Sequence, residues 1–233
     1  MISIQVPVHN ESAILAANMA RLKKAMDALG GDYEIIIAED GSTDGSGEIA
    51  RKLASSNGRI RAITSGTRLG RGVSLANAIR AARGGIVMCI DADLPADLSH
   101  IGELVREIGR GADICTGSRL LPGSKVIGRS AVREFFSRGY NLLLRILFHT
   151  SVFDHQCGFK AFRKSSVLPL LGEVRDRHWF WDSELLILAQ RKGLKVAEIP
   201  VRWTDRRESG VRLSTDVVSM GFAALALRLR LGI

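Results

Sequence analysis

Residues Ile86-Val87-Met88-Cys89-Ile90-Asp91-Ala92-Asp93 set the reading of this sequence. An apolar run of this length, rich in β-branched residues, suits a buried strand. The two carboxylates that follow it belong where the strand leaves the sheet, because buried charge without a partner is costly. Working outward, the same pattern recurs. Ile2-Ser3-Ile4-Gln5-Val6-Pro7, Tyr33-Glu34-Ile35-Ile36-Ile37-Ala38, Arg59-Ile60-Arg61-Ala62-Ile63-Thr64 and Ile114-Cys115-Thr116 are short, largely apolar runs that end in polar or Gly-rich segments. Helical patterns separate them, such as Leu15, Asn18, Leu22, Met26 and Leu29 at three- and four-residue steps. Strands alternating with helices predict an α/β fold with a mostly parallel sheet flanked by helices. Ligands of such sheets gather beyond the carboxyl ends of the strands. Pro7-Val8-His9-Asn10-Glu11, Glu39-Asp40-Gly41-Ser42 and Asp91-Ala92-Asp93 all fall there.

The chain has 233 residues, 46% of them hydrophobic, enough for one well-buried domain. Its three cysteines, Cys89, Cys115 and Cys157, lack metal-ligand spacing and fit a reducing cytoplasm. No signal peptide is expected, since Met1 leads directly into a strand, and no apolar run nears the roughly 20 residues that span a bilayer. The net charge of +9 favours nucleic acid, an anionic membrane or phosphorylated substrates. Nucleic acid is set aside for want of zinc spacing, an aromatic RNA-binding strand or a long basic run.

The second half reads differently. Over a helix from Arg133 to His149, Arg133, Ser137, Arg138, Asn141, Arg145 and His149 share one arc, and Phe135, Phe136, Tyr140, Leu143, Ile146 and Leu147 take the rest. The tail from Val217 to Ile233 is apolar, with Arg228 and Arg230 near its end. The expected division is a catalytic domain over 1–213 and an apolar C-terminal helix over 214–233. Both helices can lie at a membrane interface with arginines reaching lipid phosphates, or pack on the sheet.

Asp91 and Asp93 are able to face one magnesium or manganese ion, which prefers hard oxygen ligands together with phosphate oxygens. Alternatively, Asp91 caps the helix that begins near Asp97. Glu39 and Asp40 suit a base N–H or a ribose hydroxyl, while Asp44 suits a helix cap. Gly66-Thr67-Arg68-Leu69-Gly70-Arg71-Gly72 opens a helix, and its glycine N–H groups and Arg71 suit a diphosphate.

Together these segments resemble family 2 glycosyltransferases of the glycosyltransferase A, Rossmann-like fold. Pro7-Val8-His9-Asn10-Glu11 matches that family's Pro-x-x-Asn-Glu, and Asp40 to Gly45 matches its Asp-Gly-Ser-x-Asp-Gly, with Glu39 where Asp is usual. The second half is similar to polyprenyl-phosphate sugar synthases, the dolichyl-phosphate mannose synthase and glucosyltransferase group. The matching segments are Thr116-Gly117-Ser118-Arg119, the Arg133-x-x-x-Ser137 helix, Asp154-His155-Gln156-Cys157-Gly158-Phe159-Lys160, Trp181-Asp182-Ser183-Glu184-Leu185 and Glu198-Ile199-Pro200-Val201-Arg202-Trp203. Two positions depart from the pattern. Pro95 stands where many members have Gln, and Ser209-Gly210-Val211-Arg212 keeps only the basic residue of Gly-x-Ser-Lys.

The resemblance implies inverting transfer of a hexose from GDP-mannose or UDP-glucose to a polyprenyl or dolichyl phosphate, with magnesium or manganese as cofactor. It assigns the metal to Asp91 and Asp93, and the nucleotide-sugar to Pro7, Asn10, Glu11, Glu39, Asp40, Arg71, Asp91, Asp182 and Glu184. The lipid phosphate goes to Arg119, Arg133 and Ser137, with Arg206 or Arg212 as a further clamp, and Asp154 orients the sugar or acts as a weak base. Peripheral attachment at the cytoplasmic face follows, with the tail a candidate for self-association. The competing readings are a transferase acting on a glycan or soluble acceptor, and a non-catalytic membrane or nucleic-acid adaptor. The intact Asp91-Ala92-Asp93 speaks against the adaptor.

Overall fold

The computed structural model describes residues 1–205 and 216–233. Its sheet has seven strands in the order β3-β2-β1-β4-β7-β5-β8. Here β1 is Ile2–Val8, β2 Tyr33–Asp40, β3 Ile60–Ser65, β4 Ile86–Ile90, β5 Ile114–Ser118, β7 Phe159–Arg163 and β8 Val196–Pro200. Two short strands, β6 (Lys125–Ile127) and β9 (Arg202–Thr204), pair beside it. The strands foreseen in the first half all form. All sheet pairings are parallel except those of β7, which runs antiparallel between β4 and β5. This reversal positions the site: the amino end of β7 reaches the same edge as the carboxyl ends of its neighbours, with Phe159 opposite Ile90.

Every residue of β2 is buried, as a strand covered on both faces must be. On one face lie α1 (Ser12–Leu29), α2 (Ser46–Ser56) and α4 (Ile101–Gly109). On the other lie α3 (Arg71–Ala81), the single turn α6 (Lys164–Val167) and α7 (Trp181–Arg191). Leu15, Leu22 and Met26 of α1 are fully buried, each contributing about 1.5–3 kcal/mol. Leu29, expected on the same stripe, is instead 43% exposed, because the helix ends there at Gly30.

A further layer is made by α5 (Ala131–Phe148) and α8 (Asp216–Leu231), which share a core of Tyr140, Leu144, Phe148, Met220, Ala224 and Leu227 against Phe180 and Ile187. Ser130 begins α5 by accepting from the Arg133 amide at 3.3 Å. Asn141, on the expected polar arc, faces inward. It is buried, and its Oδ1 lies 2.9 Å from both the His155 amide and His155 Nδ1.

Candidate active site

A cavity of about 470 Å³ opens at the carboxyl edge of the sheet. Pro7, Glu11, Asp40, Arg71, Asp91, Asp93, Asp182, Arg119, Arg133 and Ser137 all line it, so residues far apart in sequence converge as expected. Their positions have separate physical origins, which follow from one end of the cavity to the other.

Beside the end of β2, the Asp40 carboxylate accepts from the amides of Leu69 (2.7 Å) and Gly70 (3.0 Å). The Gly72 amide is spent on the Arg177 carbonyl at 2.9 Å. The Gly-rich loop therefore does not offer these N–H groups to a diphosphate, contrary to expectation; Arg71 is its contribution to the cavity wall. Gly41 permits this closure, since its φ is +63° and a Cβ there would lie 2.5 Å from the backbone of Thr67 and Arg68.

Glu39 and Asn10 are not cavity residues. Glu39 is buried and accepts from the Ser42 amide at 2.5 Å, and Asn10 accepts from the Thr43 amide at 2.9 Å. Both hold the turn after β2. Asp44 ties together the starts of two helices, accepting from the Ser12 amide (2.9 Å) and the Ser46 amide (3.0 Å).

At the centre, the Asn18 amide group donates to the Ala92 carbonyl at 2.9 Å and fixes the loop after β4. The helical turn beyond it is capped by Asp97, whose carboxylate accepts from the Ser99 amide at 3.0 Å, so Asp91 is not the cap. Arg71 lies 3.0 Å from Asp91 and also pairs with Asp182, which holds Lys160 at 2.9 Å. Burial alone would depress the Arg71 pKa, but Asp182 and then Asp91 outweigh it and raise it. Burial opposes the charge on Asp182 likewise, yet Arg71 and Lys160 hold its pKa below the ordinary value. A Cβ on Gly158 would lie 1.8 Å from Asp91 Oδ2, so only glycine admits that carboxylate.

Among the described residues no group of three or more His, Cys, Asp or Glu side chains forms a metal cage. Asp91 and Asp93 on the cavity wall are a donor set suited to a hard divalent cation that completes its shell with ligand oxygens.

At the far end, Arg119 is gripped by Asp154: Nε to Oδ2 at 2.7 Å, Nη2 to Oδ1 at 2.8 Å and the backbone amide to Oδ2 at 3.0 Å. The guanidinium also lies 5.0 Å from the Trp203 ring centre. Asp154 is fully buried and is not on the cavity wall, which corrects its expected role. Burial disfavours its charge, but Arg119 outweighs burial and holds its pKa well below the ordinary value. Its two oxygens fix the Arg119 fork in place. Glu184 is likewise outside the wall, accepting from the Arg175 and Asp176 amides and pairing with Arg230 of α8 at 2.5 Å. Arg228 turns inward too, to the Leu147 carbonyl, so neither arginine of the tail reaches outward. Arg206 and Arg212 lie outside the described residues.

Sequence reasoning missed Arg129, Trp179 and Asp205, which also line the cavity, and gave no site role to Trp203 of the matching Glu198–Trp203 segment, which lines it as well. Arg129 and Asp205 carry no motif of their own, and only the pairing of β6 with β9 brings their loops together.

The family model for glycosyl transferase family 2 matches residues 3–170. The chain belongs to glycosyl transferase family 2. The transferase is 41% identical over 223 residues to glycosyltransferase AglD of Haloferax volcanii, covering 94% of this chain but 36% of that protein. It is 28% identical to the dolichyl-phosphate beta-glucosyltransferase of Saccharomyces cerevisiae, over 98% of this chain and 74% of the relative. The chain thus spans about a third of AglD's length and about three quarters of the yeast enzyme's. In fold, the transferase is similar to glucosyl-3-phosphoglycerate synthase of Mycobacterium tuberculosis solved in complex with uridine-diphosphate. The TM-score is 0.70 at 23% identity, over 98% of this chain and 79% of the other. The α/β architecture is the glycosyltransferase A fold.

Proposed function

We propose that the protein transfers a hexose, with inversion, from a nucleoside-diphosphate sugar to a polyprenyl or dolichyl phosphate at a membrane surface. One observation carries this reading: Asp91 and Asp93 line the same cavity as Arg119, Arg133 and Ser137. Carboxylates suit a metal-bridged diphosphate, and arginines suit a phosphate acceptor. The dolichyl-phosphate beta-glucosyltransferase relatives make UDP-glucose the first donor to try, ahead of GDP-mannose.

Magnesium or manganese, held by Asp91 and Asp93 with the diphosphate, would neutralise charge on the leaving group. Pro7, Glu11 and Asp40 line the nucleoside end, and Arg71 faces the diphosphate from its bridge between Asp91 and Asp182. Arg119 and Arg133, with the Ser137 hydroxyl, orient the acceptor phosphate, and Asp154 fixes the Arg119 fork. The acceptor oxygen is already anionic, so no side chain need remove a proton. Its lone pair forms the new C1–O bond from the face opposite the diphosphate as the old C1–O bond breaks, which inverts the anomeric carbon.

Membrane docking is part of the proposal. Val132, Phe135, Leu142 and Ile146 form an exposed stripe on α5, and Val218, Phe222, Leu225 and Leu229 form another on α8. No helix among the described residues is long and apolar enough to cross a membrane. The apolar faces of these two packed helices suit burial at the cytoplasmic interface beside the cavity. The C-terminal helix then serves as an interface segment of the catalytic unit. Self-association through the same stripes is the competing use, and light scattering without lipid would reveal it.

The test is transfer of labelled sugar from UDP-glucose or GDP-mannose to a short polyprenyl phosphate, counted in organic solvent with and without manganese. Metal-dependent label in that phase supports the proposal and names the donor. Nucleotide binding with label appearing only on a water-soluble acceptor overturns it.

A further inference from the structure

Arg129, in the loop between β6 and α5, is a cavity cation that the mechanism above does not use. Its side chain is only 8% exposed, and its Nε has no hydrogen-bond acceptor among the described residues. Across 3.7 Å stands Asp205 Oδ2, which has no hydrogen-bond donor among them either and lies 3.3 Å from Arg133 Nη1. The other half of this carboxylate is fixed, because Oδ1 accepts from Trp203 Nε1 at 2.7 Å. Glu134 also approaches Arg129, at 3.5 Å, but its other oxygen is held more closely by Arg138 at 2.6 Å.

An orphaned donor facing an orphaned acceptor inside a cavity calls for an explanation, since buried polar groups are nearly always satisfied. Charge supplies one. Arg119, Arg129 and Arg133 bring three positive charges to this end, answered mainly by Asp154 and Asp205. Asp154 is spent on Arg119, so among the described residues Asp205 is the acid that faces both of the other two, with Glu134 reaching Arg129 at 3.5 Å. Burial and the neighbouring Arg119 both lower the Arg129 pKa, the mark of a site with positive charge in excess. A phosphate monoester carries about −1.5 to −2 at neutral pH and three oxygens. With Asp205 drawn aside, two net positive charges would remain to meet it, and guanidinium forks match its geometry.

We propose that Arg129 is a third phosphate-binding arginine, and that Asp205 Oδ2 holds its place until a phosphate monoester displaces it. Where the ligand is the lipid acceptor, this rests on the function proposed above; free phosphate has the same chemistry. The carboxylate competes with the acceptor within the molecule, so Asp205 lowers acceptor affinity while keeping the empty arginines from repelling one another.

Binding of inorganic phosphate and of a short polyprenyl phosphate in detergent micelles is measured by calorimetry for wild type, Arg129→Gln and Asp205→Asn, alongside transfer kinetics. Arg129→Gln should weaken both ligands about tenfold or more and raise the acceptor KM, leaving the nucleotide-sugar KM in place. Asp205→Asn should tighten both ligands several-fold, a sign that loss of a merely structural contact would not produce. Unchanged phosphate affinity in Arg129→Gln, or weaker binding in Asp205→Asn, overturns the proposal even if lipid transfer proceeds. Arg129-dependent binding of inorganic phosphate without transfer to any lipid phosphate upholds the socket and defeats the lipid acceptor instead. If wild type binds neither phosphate, both readings fall.

Discussion

At one end of the cavity, the loop bearing Asp91 and Asp93 leaves β4 and is held by Asn18 on the Ala92 carbonyl, by Gly158 against the Asp91 carboxylate and by Arg71 at 3.0 Å from Asp91. At the other end, Arg119, Arg129 and Arg133 are held by acidic side chains from distant loops, Asp154 before β7 and Asp205 after β9. The carboxylates thus take their place from a strand end, within one stretch of sequence. The arginines take theirs from ion pairs between loops that lie far apart within the second half of the chain. Damage to the first group should therefore register in chemistry, and damage to the second in stability and acceptor binding together.

The largest effect should come from Asp154→Asn, which leaves Arg119 buried and uncompensated. A loss of about 3–5 kcal/mol in denaturant unfolding is expected, with a raised acceptor KM in whatever protein remains folded. Loss of under 1 kcal/mol would show that the Arg119 pair does not hold this end. Next in size, Asp93→Ala should cut transfer about 100- to 1000-fold with little change in unfolding. Should this variant instead unfold easily while its folded fraction keeps full turnover, the contrast between the two ends is reversed.

Gly158→Ala sits where the two ends meet. Its Cβ would press on Asp91, at a cost of about 1–3 kcal/mol, and metal-dependent nucleotide binding should weaken with it. Equal affinity in calorimetry would mean that Asp91 has room to spare. A smaller effect near neutrality should come from His155, beside Asp154. Burial keeps its ring neutral and pushes its pKa from 6.5 down to about 3. The unfolded chain takes up that proton first, so stability falls as pH drops through this window, by about 1.4 kcal/mol per unit. His155→Gln should flatten the slope of unfolding free energy between pH 6 and about 4. Least of all, Leu29→Ser at the exposed end of α1 should stay within about 0.5 kcal/mol of wild type.

Much of the carboxylate end was legible in sequence, because each cue is local. Apolar runs followed by carboxylates place Asp40, Asp91 and Asp93 at strand ends, and the structure finds them on the cavity wall. The departures there share one cause. Glu39, Asn10 and the Gly-rich loop have the right polarity in the right place, yet Glu39 Oε1, Asn10 Oδ1 and the Gly70 amide are already paired within the turns. A motif records which groups are polar; it does not record which have already found partners.

The arginine-lined end depends on contacts no window of sequence contains. Its strand β7 inserts antiparallel between β4 and β5, and this carries Gly158 and Asp154 to the edge where the parallel strands end. Asn141 turns inward to meet His155 although its neighbours on the helical wheel are polar. The outward stripes of α5 and α8 emerge only when Tyr140, Leu144 and Met220 are seen to form the shared core. The sequence by itself determined the α/β alternation, the family and the carboxylate centre, since these follow from periodicity and adjacent residues. Which arginines face the cavity, and which acids hold them there, was decided by the tertiary structure, because a charge finds its partner through space rather than along the chain.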